Sequence, residues 1–151
     1  MRIEIDQSWK IERTNKDTII AFSNEEKGSL KITAEVKRSA FVYLEEKFGR
    51  TKLNVFRIFA AAVVLLIAKS KIRVSNTDVV IDLEYPGRDE EIRSMVVGFG
   101  SKMGLNFNAD LIHFTRVGKE SPAHFLSYGA YLKKQEETFT ATLRELTEIL
   151  P

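Results

Sequence analysis

Short segments in the first third of the chain have residue patterns typical of β-strands. Alternation of charged and apolar residues predicts a strand at about residues 2–6, and the run with Thr18, Ile19 and Ile20 predicts a second at 17–22. A third strand is predicted at 29–33. Only short polar stretches separate these segments, with a turn over residues 24–28. Short connections of this kind favour an antiparallel meander of three strands.

A helical period begins near residue 35. Apolar residues recur on one face over residues 35–48, and Gly49 is the expected stop. A second predicted helix, over residues 51–69, is apolar almost all round, which is typical of a core helix. Its longest uninterrupted apolar run, residues 58–68, is shorter than a membrane span.

The second half alternates strand and helix patterns. We predict strands at residues 78–84 and 111–117, and helices at 88–103, 121–134 and 135–150. A meander followed by such alternation favours an α/β fold. The expected architecture is one domain over residues 1–151 with a mixed five-stranded sheet: the three-strand meander plus two parallel strands, flanked by helices on both faces.

Composition narrows the function classes. Cysteine is absent, which excludes disulfides, thiolate catalysis and cysteine-bound zinc. The start of the chain has no signal-peptide pattern, so we expect a cytoplasmic protein without a membrane segment. The net charge is only +2, but nine basic residues lie between Lys37 and Arg73. This basic segment predicts either contact with a polyanion or an ordinary solvated face.

Carboxylates fall where two predicted strands end. Asp6 ends the first strand, and Asp82 and Glu84 lie two positions apart near the end of the strand at 78–84. If these strands are parallel neighbours, the carboxylates meet at one edge of the sheet, where open α/β sheets place their sites. Clustered carboxylates indicate a divalent cation. The alternative is that Asp6 and Asp82 are turn or capping residues that accept hydrogen bonds from backbone amides.

Three stretches are similar to the ribonuclease H-like superfamily. Residues 5–8, Ile-Asp-Gln-Ser, resemble the acidic motif that ends the first strand of that fold, and residues 50–62 resemble its first core helix. Residues 118–124, Gly-Lys-Glu-Ser-Pro-Ala-His, are similar to the start of its last helix. The resemblance spans about residues 1–134 and includes the order of the elements. The helix at about 35–48 is an addition to that order.

The resemblance implies a nuclease or phosphodiesterase that cleaves nucleic acid with two Mg²⁺ or Mn²⁺ ions. Asp6, Asp82 and His124 would be the catalytic metal ligands, with Glu84 as a further ligand or as the competitor of Asp82. The histidine ligand favours Mn²⁺. Phosphate contacts would come from Arg57, Lys119 and Lys52, and Trp9 would either stack on a base or cover the edge of the core.

Two other functions remain open. Arg57 stands where that superfamily usually presents a glutamate ligand, and a guanidinium cannot bind a metal ion. The chain is therefore alternatively a non-catalytic module of the same fold that binds nucleic acid or a protein partner. The predicted C-terminal helix at 135–150, with Phe139, Leu143, Leu146 and Leu150 at helical spacing, offers an interface for a homo-oligomer.

Overall fold

The computed structural model describes residues 1–23, 27–82, 84–116 and 139–151. Six strands form one mixed sheet in these residues, and four α-helices accompany it. The strands are β1 Arg2–Ser8, β2 Thr18–Ser23, β3 Lys27–Ile32, β4 Asp78–Asp82, β5 Ile112–Thr115 and β6 Phe139–Thr140. The helices are α1 Ala34–Phe48, α2 Leu53–Ser70, α3 Asp89–Lys102 and α4 Leu143–Ile149, with a 3₁₀ turn at Ala109–Leu111.

The sheet has the strand order β5-β4-β1-β2-β3-β6. The predicted meander is confirmed, since β2 pairs antiparallel with both β1 and β3. The predicted central pair is also confirmed, because β4 runs parallel to β1, and β5 continues parallel to β4. The predicted number of five strands is wrong, since β6 pairs with β3 as a sixth strand.

The sixth strand arises where a continuous C-terminal helix over 135–150 was predicted. Within the described part of that range, Phe139 and Thr140 pair in parallel with Leu30 and Lys31 of β3. The helix begins only at Leu143, because Thr142 caps it: its hydroxyl accepts from the Glu145 amide in a capping box. Phe139 therefore fits the helical spacing of the tail without being helical.

The core lies between one face of the sheet and the helices. Helix α2 is almost wholly buried, and it contacts α1, α3 and α4. By length and composition α2 would also pass as a membrane span, but most of it is buried inside the molecule, as in the core helix of a soluble protein. The side chains of Ile3, Ile5 and Ile81 point from the sheet into this core.

The opposite face of the sheet carries the alternate side chains of each strand. Ile19, Ala21 and Val80 lie there and are also buried. The helix predicted at 121–134, which would test the expectation of helices on both faces, lies outside the described residues. What the described chain shows is an α/β fold with helices packed together on one face of the sheet.

The apolar residues at helix α4 pack mainly against other elements of the same molecule. Leu146 and Leu150 are buried in the core, and α4 packs against both α1 and α2. Leu143 remains 37% exposed. A homo-oligomer interface on this helix stays a prediction, and Leu143 rather than Leu146 or Leu150 would contribute to it.

Candidate metal centre

Three carboxyl groups meet at the carboxyl ends of β1 and β4. The register pairs Ile5 with Ile81, which sets Asp6 and Asp82 side by side on neighbouring parallel strands. Glu84 follows Asp82 by two residues, just beyond the end of β4. One carboxylate oxygen from each of Asp6, Asp82 and Glu84 lies within 4.8 Å of the others. The structure thus brings together the three carboxylates that the sequence predicts as metal ligands.

The strand ends differ slightly from those predicted. β1 continues to Ser8, so Asp6 lies inside the strand, and β4 stops at Asp82, so Glu84 lies in the following loop. Asp6 is 4% exposed, and its Oδ1 accepts a hydrogen bond of 2.8 Å from the Gln7 amide. This hydrogen bond agrees with the alternative that Asp6 accepts from a backbone amide, but it involves only one of the two carboxylate oxygens. It does not explain why the carboxyl groups of Asp82 and Glu84 lie close to Asp6.

The electrostatics of the cluster are most visible at Glu84. Burial, followed by a hydrogen bond with Asp82 and the charges of Asp82 and Asp6, raises the pKa of Glu84 to about 8. Lys10 opposes this shift, since its ammonium lies 4.0 Å from Glu84 Oε2. Because its pKa is raised, the Glu84 carboxyl keeps its proton at neutral pH when no other cation offsets the negative charge of the cluster.

A hydrogen-bonded chain supports the cluster from the core side of the sheet. Gln7 Nε2 donates to the Tyr85 hydroxyl at 3.3 Å, and this hydroxyl donates to Glu12 Oε1 at 3.2 Å. The Tyr85 ring makes edge contacts with Phe56 and Phe59 of α2. The loop after β4, which carries Glu84, is thereby fixed to both β1 and α2.

The loop after β1 is fixed by a buried lysine that the sequence analysis counted only within the basic segment. Lys37 of α1 is fully buried, and its ammonium donates to the Arg13 carbonyl at 2.7 Å and to Thr18 Oγ1 at 2.8 Å. A longer contact of 3.5 Å reaches the carbonyl of Lys10. Lys37 therefore anchors the segment from which Lys10 reaches Glu84.

The other predicted site residues have varied positions. Arg57 is directed toward α1, where it lies 4.0 Å from the ring centre of Phe48, and it donates to Asn54. Trp9 is 40% exposed with Lys16 over its ring, and its φ of 62° is a strained value for a bulky residue. His124 and Lys119 lie outside the described residues.

The residues of the basic segment have different surroundings in the folded chain. Lys37 is buried, Arg50 approaches Glu45, and Lys69 pairs with Glu145. Lys52, by contrast, is exposed at the start of α2, and it lines the same cavity as Glu84. In the described structure, Lys52 is therefore the member of this segment that shares a cavity with a carboxyl group of the cluster.

The raised pKa of Glu84 makes a prediction about stability. Between its ordinary pKa of 4.5 and about 8, the folded chain holds a proton at Glu84 that the unfolded chain has lost. The Glu84 contribution to the free energy of unfolding therefore falls as pH rises through this range. Glu84→Gln keeps a hydrogen-bond donor toward Asp82 but does not titrate. We expect this variant to match the wild type near pH 5 and to be more stable at pH 8.5.

Urea denaturation in EDTA at the two pH values measures this difference. Glu46→Gln is a matched control, because Glu46 lies exposed on α1. The control should follow the wild type at both values. Equal pH dependence in wild type and Glu84→Gln would show that the three carboxyl groups do not interact as their positions indicate.

Comparisons with known proteins assign no family. No protein-family model matches the chain, and neither a curated protein nor a solved structure shows significant similarity to it. The function is therefore argued from the geometry of the cluster and its surroundings.

Proposed function

We propose that the protein is a divalent-cation-dependent phosphodiesterase acting on nucleic acid, with Asp6, Asp82 and Glu84 as metal ligands. The convergence of their oxygens within 4.8 Å carries the proposal. We also propose that the fold is ribonuclease H-like, with β6 as an addition. Supporting this, Asp6 and Asp82 lie on β1 and β4, which are parallel neighbours.

The donor set fits a hard cation. Mg²⁺ and Mn²⁺ prefer carboxylate oxygens, and all three groups here are carboxyls. The cluster also has a proton to exchange, because the pKa of Glu84 is raised to about 8. A cation held there would polarise a phosphodiester and acidify a water molecule. The chain's own part is to hold the ligands: Asp6 on a central strand and Glu84 on a loop tied to Tyr85.

Cleavage assays test this function directly. Labelled single-stranded DNA, duplex DNA, RNA and an RNA–DNA hybrid are incubated with the protein in Mn²⁺, in Mg²⁺ and in EDTA. We expect cleavage of at least one substrate with either metal and none in EDTA. Asp82→Asn should remove this activity, whereas Asp110→Asn, at an exposed residue of the 3₁₀ turn, should keep it. Cleavage that persists in EDTA or in Asp82→Asn would overturn the proposal.

One observation favours a second function on the same fold, a module that binds nucleic acid without cleaving it. Helix α2 contains no acidic residue, so it adds no carboxylate to the cluster, and Arg57 lies against Phe48 instead. In this case the protein would bind nucleic acid with strong salt dependence, since phosphate contacts release counterions. Salt-sensitive binding without cleavage in any metal would favour this module over the phosphodiesterase.

A further inference from the structure

A cavity of about 380 Å³ opens beside the carboxylate cluster and shares Glu84 with it. The loop after β1, the first turn of α2 and the loop after β4 enclose it. Its volume lies within the range of small-ligand sites. The proposed function does not by itself account for this cavity, because the cluster lies at one of its edges.

The rim of the cavity is cationic. Lys10, Lys52 and Arg88 line it, against the carboxyl groups of Glu12 and Glu84. Glu12 is engaged by the Tyr85 hydroxyl, and Arg88 is paired through one nitrogen with Glu91 at 2.8 Å. Lys52 is exposed on this rim at the start of α2. These positions suit an anion such as a phosphate.

The floor of the cavity is apolar and rigid. The rings of Phe56 and Tyr85 line it, and they contact one another edge to face with centres 5.3 Å apart. Both rings are more than nine-tenths buried, so their orientation is fixed by the core. Pro86 and Val55 complete the apolar part. The Lys10 ammonium and the Arg88 guanidinium lie over the Tyr85 and Phe56 rings, 5.9 and 5.3 Å from their centres. A flat heterocyclic base can pack on the part of this surface that they leave open, with an attached anion beside the two cations.

We infer that this cavity binds one nucleoside monophosphate unit, with its phosphate among Lys52, Lys10 and Arg88 and its base on the Phe56 and Tyr85 floor. The inference rests on the proposed function in one respect: the bound nucleotide is part of a nucleic acid strand that reaches the carboxylate cluster. Because Glu84 borders both places, a nucleotide in the cavity leads its strand directly to the carboxylates.

Binding of free nucleotides tests the cavity without any metal. Adenosine 5′-monophosphate and uridine 5′-monophosphate are titrated into the full chain in EDTA, and amide chemical shifts are followed by NMR. We expect saturable shifts at Val55, Phe56 and Tyr85, and weaker binding of both adenosine and inorganic phosphate. Lys52→Gln should weaken nucleotide binding about tenfold, which corresponds to about 1.4 kcal/mol.

Lys27→Gln is the matched control, because Lys27 is exposed at the start of β3 and does not line the cavity. It should bind the nucleotides as the wild type does. Absence of saturable shifts, equal weakening by Lys27→Gln, or nucleotide binding no tighter than phosphate would each overturn the inference. A Mn²⁺ titration of the same samples separates the two proposals. Metal binding without nucleotide binding removes this inference alone, and nucleotide binding without metal binding removes the phosphodiesterase alone.

Discussion

Asp6→Asn is expected to abolish metal-dependent cleavage while making the metal-free protein more stable. Loss of cleavage should be at least about a hundredfold, because a metal ion supplies several kcal/mol of transition-state stabilisation. The folded chain gains because the substitution removes one of the like charges that lie close together in this cluster. We expect the free energy of unfolding in EDTA to rise on the order of 1 kcal/mol.

Asparagine is isosteric with aspartate, so Asp6→Asn keeps the structural hydrogen bond that Asp6 makes. An asparagine Oδ1 can still accept the hydrogen bond from the Gln7 amide, so the local backbone of β1 should be unchanged. Cleavage is measured in Mn²⁺ and stability by urea denaturation in EDTA, with Asp110→Asn as the control in both. A less stable Asp6→Asn protein would mean that Asp6 serves the fold, and retained cleavage would contradict its role as a ligand.

Lys37→Met is expected to destabilise the protein by about 2–4 kcal/mol, a large effect for a lysine. Methionine fills a similar volume but donates no hydrogen bond, so the Arg13 carbonyl and the Thr18 hydroxyl each lose a bond from a charged donor. The Arg13 carbonyl keeps its bond from the Lys16 amide, and the Thr18 hydroxyl keeps its bond to the Trp9 carbonyl. A hydrogen bond that involves a charged group contributes about 1.5–3 kcal/mol, and relief from burying an ammonium offsets part of this loss. Urea denaturation measures the difference. Lys47→Met, at an exposed position of α1, should cost less than about 1 kcal/mol.

The Lys37 effect should also depend on pH. Burial lowers the pKa of Lys37 from 10.5 to about 8, against the opposing charges of Asp17 and Glu12. Between about 8 and 10.5 the unfolded chain binds the additional proton, so the Lys37 contribution to stability rises with pH. The stability gap between wild type and Lys37→Met should therefore widen above pH 8. A stability gap that narrows above pH 8, or a Lys37→Met protein as stable as the wild type, would show that Lys37 is not buried as described.

The central part of the fold was predictable because it depends on local patterns. Alternating or β-branched segments with short connections identified β1, β2 and β3, and the β-branched, apolar run at residues 78–84 identified β4. Parallel pairing of β1 with β4 then followed from general rules of chain connection. The carboxylate cluster was predictable for the same reason, since strand ends and their order place Asp6 near Asp82.

What could not be predicted depends on contacts between distant residues. Lys37 looks like any surface lysine in sequence, because its acceptors are a hydroxyl and backbone carbonyls 19 to 27 residues away. Phe139 matches the helical spacing of the tail, and only its pairing with Leu30 makes it a strand residue. Gly28 was predicted in a turn, but it lies in β3, where a Cβ would be 2.5 Å from the Phe22 ring.

Calorimetric titration of Mn²⁺ into the protein tests the proposed metal centre most directly. At pH 8 we predict saturable binding to the wild type, weaker binding at pH 6, and none to Asp6→Asn. The pH dependence follows because the cation must displace the proton held at Glu84, whose pKa is raised to about 8. Absence of Mn²⁺ binding to the wild type, or equal binding to Asp6→Asn, would contradict the assignment of these carboxylates as a metal centre.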